Sequence, residues 1–296
     1  SGESSLSACI SNSAGYYSGS GSASQTPCAV GTYQNQTGQT SCIDAPVGTF
    51  VNTTAATSPT DCSLGTFQNQ TGQTSCIDAP PGTYVDTTGA SSPTDCTGGT
   101  YQPSSGQSSC LDADAGYYVG STGSSAQTPC SLGTYQPYTG QASCISASAG
   151  YYVDTTASTN QTACAAGTYQ PNTGQSSCID ASAGYYVPST ASTSQTPCAV
   201  GTYQPNTGQS SCLDAPAGTY VDSTGATSST DCPAGTYQPN TGQSSCIDAG
   251  AGYFVDETGS TNQTACDLGT FQNQTGQSAC IDAPAGTFVN TTAATS

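Results

Sequence analysis

From Cys28 to Cys280 the cysteines fall alternately 14 and 20 residues apart without a break. Such a rule leaves little freedom, because any bridge formed in one repeat must recur in the next and a fold found once must be found throughout. The 34-residue period divides the chain into repeats 28–61, 62–95, 96–129, 130–163, 164–197, 198–231 and 232–265, with a partial repeat at 1–27 and a truncated one at 266–296. A 17-residue period lies beneath it. Gly31, Gly48, Gly65 and Gly82 begin a series that runs to Gly286, with Tyr or Phe two positions after each glycine, as at Tyr33 and Phe50. Aligning CAVGTYQNQTGQTSC with APVGTFVNTTAATSP sets Ala45 against Cys28 and Pro59 against Cys42. Each gap is thus a second copy without cysteines, and bridged and open repeats alternate.

Seventeen cysteines at fixed spacing, with no histidine and no Cys-x-x-Cys pairs, point to disulfides formed in an oxidising compartment. Structural zinc would need paired ligands that single cysteines at these intervals do not provide. Because the two cysteine positions are vacated together in the open copies, the expected pairs are Cys28–Cys42, Cys62–Cys76, Cys96–Cys110, Cys130–Cys144, Cys164–Cys178, Cys198–Cys212, Cys232–Cys246 and Cys266–Cys280. Chain entropy does not choose: a 15-residue loop contributes about 3 kcal/mol and a 21-residue loop only about 0.3 kcal/mol more. A β-prone GTYQ followed by a turn such as PNTG favours the shorter loop, while the register Cys42–Cys62 remains the alternative. Cys9 precedes ISNSAGYY, which is similar to CIDAPAGTY, so it reads as the second cysteine of a pair whose first lies upstream. Both ends break mid-repeat, as expected of a segment of a longer repetitive chain.

Composition narrows the function classes. There is no Lys, Arg or His against 18 acidic residues, a formal charge of −18. Nucleic acids and anionic membrane surfaces both require cationic side chains, so neither is an expected partner. No apolar run reaches the roughly 20 residues that span a bilayer. Each repeat offers an aromatic and a neighbouring aliphatic (Ile43, Val51, Ile77, Val85), read as a narrow apolar spine that stacking makes continuous. The extra tyrosines at Tyr16, Tyr117, Tyr151 and Tyr185 suggest a sugar-stacking surface as the rival role, and Tyr138 stands apart in a turn.

The glycine-aromatic pair after Cys-x-x, then a turn and Ser-Cys, resembles the ephrin-receptor-like cysteine-rich repeats, relatives of the tumour-necrosis-factor-receptor modules. The resemblance covers nearly the whole chain and implies an extracellular, elongated rod held by a disulfide ladder, with little regular secondary structure. It departs from the family in one respect: Cys42-Ile43-Asp44-Ala45 lacks the second cysteine of the usual junction. The expected fold is all-β or irregular, made of small disulfide-rich hairpin repeats, with a β-solenoid as the alternative.

Ten aspartates share one position four residues before the repeat glycine: Asp44, Asp61, Asp78, Asp95, Asp112, Asp180, Asp214, Asp231, Asp248 and Asp282. They are read as turn caps, with Ca²⁺ as the competing reading; Asp112 with Asp114, and Asp256 with Glu257, are its best candidates. No other cofactor and no metal site is expected. Asn-x-Thr acceptors at Asn35, Asn52, Asn69, Asn160, Asn262, Asn273 and Asn290 suggest covalent glycans. A hydroxyl nucleophile would lack a histidine or lysine base, so no catalytic residue is expected. These readings converge on a non-enzymatic structural protein of a cell surface, appendage or matrix, partnered by copies of itself or other fibre proteins. An adhesin or receptor-ectodomain recognition module is the alternative, and ice binding by threonine rows a weaker third.

Overall fold

A computed structural model describes residues 11–296, and Cys9 lies outside them. Packing divides the described chain into two compact units. The first runs to Ser131 and takes in Tyr135–Ile145 and Thr156–Asn160; the second comprises Leu132–Thr134, Ser146–Thr155 and Gln161–Ser296. Among the described residues there is no helix, only two-residue strands paired antiparallel in two-stranded sheets.

One construction serves both units. In the first, Thr32 pairs with Asp44 and Tyr33 with Ile43; in the open repeat that follows, Thr49 pairs with Asp61 and Phe50 with Thr60. The second repeats the register at Thr168 with Asp180 and Tyr169 with Ile179. Each hairpin is entered through a tight turn: the Thr49 N–H donates to the Pro46 carbonyl at 3.1 Å and the Thr49 hydroxyl donates to the same oxygen at 2.8 Å. The third residue of that turn is Gly48, at φ +80°, a backbone region that L side chains seldom enter.

A two-stranded hairpin is barely stable alone in water, and the backbone shows what compensates. Between repeats 28–44 and 45–61, the Gly31 N–H donates to the Val51 carbonyl at 2.8 Å and the Gln34 N–H to the Ala56 carbonyl at 3.1 Å. In return the Ala45 N–H donates to the Gly31 carbonyl and the Ala55 N–H to the Cys28 carbonyl, both at 2.8 Å. The second unit uses the same set, as in Gly167 to Val187 at 2.8 Å, Gln170 to Ser192 at 3.0 Å, and Ala181 to Gly167 and Ala191 to Cys164 at 2.8 Å. Strand pairing itself never leaves a hairpin among the described residues, which show no continuous parallel ladder of the kind a β-solenoid has.

The interior differs from the apolar spine read in the sequence. Val51 and Val85 are buried, but Ile43 and Ile77 are 43% and 46% exposed, and the aromatics are mostly half-buried, Phe67 being the buried one. From Cys28 to Gln272, what fills the centre is the first position of each repeat, Cys or Ala, fully buried, and the seventh, where Val alternates with Gln. The physical reason is lateral size. Repeats joined backbone to backbone leave room at the first position only for a sulfur or a methyl and at the seventh for one Val or Gln, while the Ile and most aromatic side chains stay on the flank.

Candidate interaction surface

Eight disulfides close loops of sequence separation 14: Cys28–Cys42, Cys62–Cys76, Cys96–Cys110, Cys130–Cys144, Cys164–Cys178, Cys198–Cys212, Cys232–Cys246 and Cys266–Cys280. Their Cα separations of 5.7–5.8 Å suit a disulfide without backbone movement. The first cysteine of each pair is buried and the second half-buried. Beside each bridge the buried glutamine, which the sequence reading passed over, ties down the same loop: Gln68 donates through Nε2 to the Ser75 carbonyl at 2.8 Å and accepts from the Gln70 N–H at 3.1 Å. Gln102 does likewise with Ser109 and Ser104. The signal was present as a strict alternation of Gln and Val after the aromatic, but a polar residue at a core position is readable only once its partners are known.

The aspartates behave differently from turn caps. Asp44, Asp78 and their counterparts end the second strand of each hairpin with exposed side chains, and no hydrogen bond to their carboxylates forms among the described residues. All of them but Asp282 lie over the left-handed turn two repeats further on, as Asp44 does over Gly72 and Asp61 over Gly89. Asp114 forms a reciprocal clasp with Gln127: its N–H donates to Oε1 and its Oδ2 accepts from Nε2, both at 2.7 Å. Asp256 and Glu257 are exposed, and no three acidic side chains converge among the described residues. All seven sequon asparagines are exposed: Asn35, Asn52, Asn69, Asn160, Asn262, Asn273 and Asn290. Tyr138 is 68% exposed, its N–H anchored by Gln136 Oε1 at 3.2 Å.

Two open grooves of the first unit share one lining. One of about 450 Å³ is bordered by Tyr84, Asp86, Thr97, Thr100 and Ser108–Cys110; the other, about 420 Å³, by Tyr17, Thr26, Pro27, Ala29, Thr32 and Thr40–Cys42. Both are bordered by the strand aromatic of one repeat together with the hydroxyl residues and the half-buried cysteine of the next. No nucleophile with an adjacent base lines either groove.

No helix among the described residues is long and apolar enough to cross a membrane. No curated protein matches the chain by sequence. A family model described as tyrosine-protein kinase ephrin type A/B receptor-like matches residues 15–62, 60–96, 116–164, 184–232 and 230–266. Those stretches cover well over half the sequence and coincide with the glycine-aromatic hairpins and their bridges, so this chain belongs to the ephrin-receptor-like family of extracellular, disulfide-rich, non-catalytic repeats.

Proposed function

We propose that the protein is a structural component of a cell surface, appendage or matrix: a disulfide-stabilised, glycosylated rod or fibre element without enzymatic activity. One observation carries the reading. Within each unit the junctions between the described repeats use the same set of backbone hydrogen bonds, anchored on the repeat glycine, so repeats add without a change of interface. A recognition module would concentrate its variation on a few repeats, whereas here the variation is thin and scattered. Covalent glycans on the exposed sequons and association with copies of the chain or with other matrix components belong to the same proposal. Rotary-shadowed electron microscopy combined with intact-mass analysis of native material tests it. Extended particles whose length grows with repeat number, carrying glycan mass, are expected; compact particles of unmodified mass overturn it.

A further inference from the structure

We infer that the recurring grooves bind neutral polysaccharide, with a sugar ring stacked on the groove tyrosine and its hydroxyls met by the opposite wall. This goes beyond a mechanical role and does not depend on it. Tyr84 is half-buried and borders an open groove of about 450 Å³. Opposite stand Thr97, Ser108 and Ser109, whose hydroxyls make no hydrogen bond inside the protein, and Asp86, whose carboxylate makes none either. The Thr100 hydroxyl donates to the Thr97 carbonyl at 2.9 Å and keeps its acceptor capacity. An aromatic face beside unspent donors and acceptors is the combination that recognises a sugar, which presents C–H groups on one face and hydroxyls round its rim.

The wall is held rigid before any ligand arrives. Cys96–Cys110 fixes its end, and Gln102 Nε2 grips the Ser109 carbonyl at 2.8 Å. In the second groove Cys28–Cys42 and Gln34 Nε2 to the Ser41 carbonyl, also 2.8 Å, do the same. Such preorganisation lowers the ordering cost of binding. The sequence repeats most of the lining in the second unit at Tyr220, Asp222, Thr236, Ser244, Ser245 and Cys246, with Pro233 where the first groove has Thr97. Charge selects the ligand class: 18 acidic residues and no cation repel uronates and sulfated glycans, which leaves neutral chains.

Affinity electrophoresis of the full chain tests this in gels containing hydroxyethyl cellulose, soluble β-1,3-glucan or galactomannan, with alginate as the anionic comparison. Retardation is expected in at least one neutral gel, unchanged between low and moderate salt, and absent with alginate. Replacing Tyr17, Tyr84, Tyr118, Tyr152, Tyr186 and Tyr220 together by Ala is expected to weaken retention by about tenfold or more, and by Phe to leave it within about twofold. Should the Ala chain lose its near-ultraviolet spectrum, substitution of the exposed groove positions Thr40, Ser108, Ser176, Ser210 and Ser244 by Leu, which spares every tyrosine and bridge, must give the same loss. Absence of retardation in all three neutral gels, equal retardation by alginate, or retention that survives the folded groove variants overturns the inference.

Discussion

Single residues decide how closely the repeats approach. Gly65 sits at φ +80°, and a Cβ there would overlap the Gly106 carbonyl of the repeat two further on; Gly72, at φ +71°, has only the Asp44 side chain nearby, at ordinary contact distance. Gly65→Ala is therefore expected to destabilise its part of the stack by more than about 3 kcal/mol and Gly72→Ala by about 1 kcal/mol, as read by urea unfolding. Equal effects would contradict the close approach. The converse holds at Ala55, Ala157, Ala191 and Ala293, non-glycine residues at φ 54–58°. Ala157→Gly should stabilise by about 1 kcal/mol or somewhat less. Gln68→Leu removes the partners of the Ser75 carbonyl and the Gln70 N–H and should cost about 1–3 kcal/mol, with amide exchange at Gln70 rising first.

At the scale of the hairpin, the bridge and the skip-one contact are separable. Ala already occupies the first cysteine position in open repeats and is buried there, so Cys62→Ala with Cys76→Ala should leave the hairpin intact and lose about 3 kcal/mol of local stability. Hydrogen exchange confined to residues 62–95 checks this; unfolding of the whole chain would show that open hairpins lean on their bridged neighbours more than the hydrogen bonds indicate. The aspartate row couples to the left-handed turns. Wherever a described aspartate lies over that turn the turn residue is Gly, as with Asp44 over Gly72 and Asp231 over Gly259. Where it is Ala, at 55, 157, 191 and 293, the residue 28 positions before is Pro27, Pro129, Ala163 and Ala265. A methyl there would displace water from an unpaired carboxylate. A double-mutant cycle on Asp61→Pro and Gly89→Ala should give a coupling of about 0.5 kcal/mol or more, with Gly89→Ala costing less beside Pro; strict additivity would sink the explanation.

For the molecule as a whole, charge of one sign has a simple consequence. Every ionised side chain is acidic, so screening relieves repulsion in the folded state and has no attraction to weaken. Thermal unfolding should shift upward between 10 and 200 mM NaCl by a few degrees; a downward shift would mean that attractive electrostatics had been overlooked.

The period and the all-β, irregular class were legible in the sequence because cysteine, glycine and aromatic each recur with a fixed step, and a repeated step admits only a repeated structure. The spacing also limited each cysteine to neighbours 14 or 20 residues away; closing the hairpin, which sets Tyr33 against Ile43 one residue past Cys42, puts Cys42 beside Cys28. What lies inside was not legible. A 17-residue repeat is too short to have an interior of its own, so burial is set by the adjoining repeats. They approach through backbone groups, and the 17-residue glycine series marks where the backbone comes close but not which repeat it meets or which side chains that burial encloses. Tertiary structure alone decided that Ala45 and Gln34 are buried, Ile43 exposed, and Gly31 pressed against Gly72.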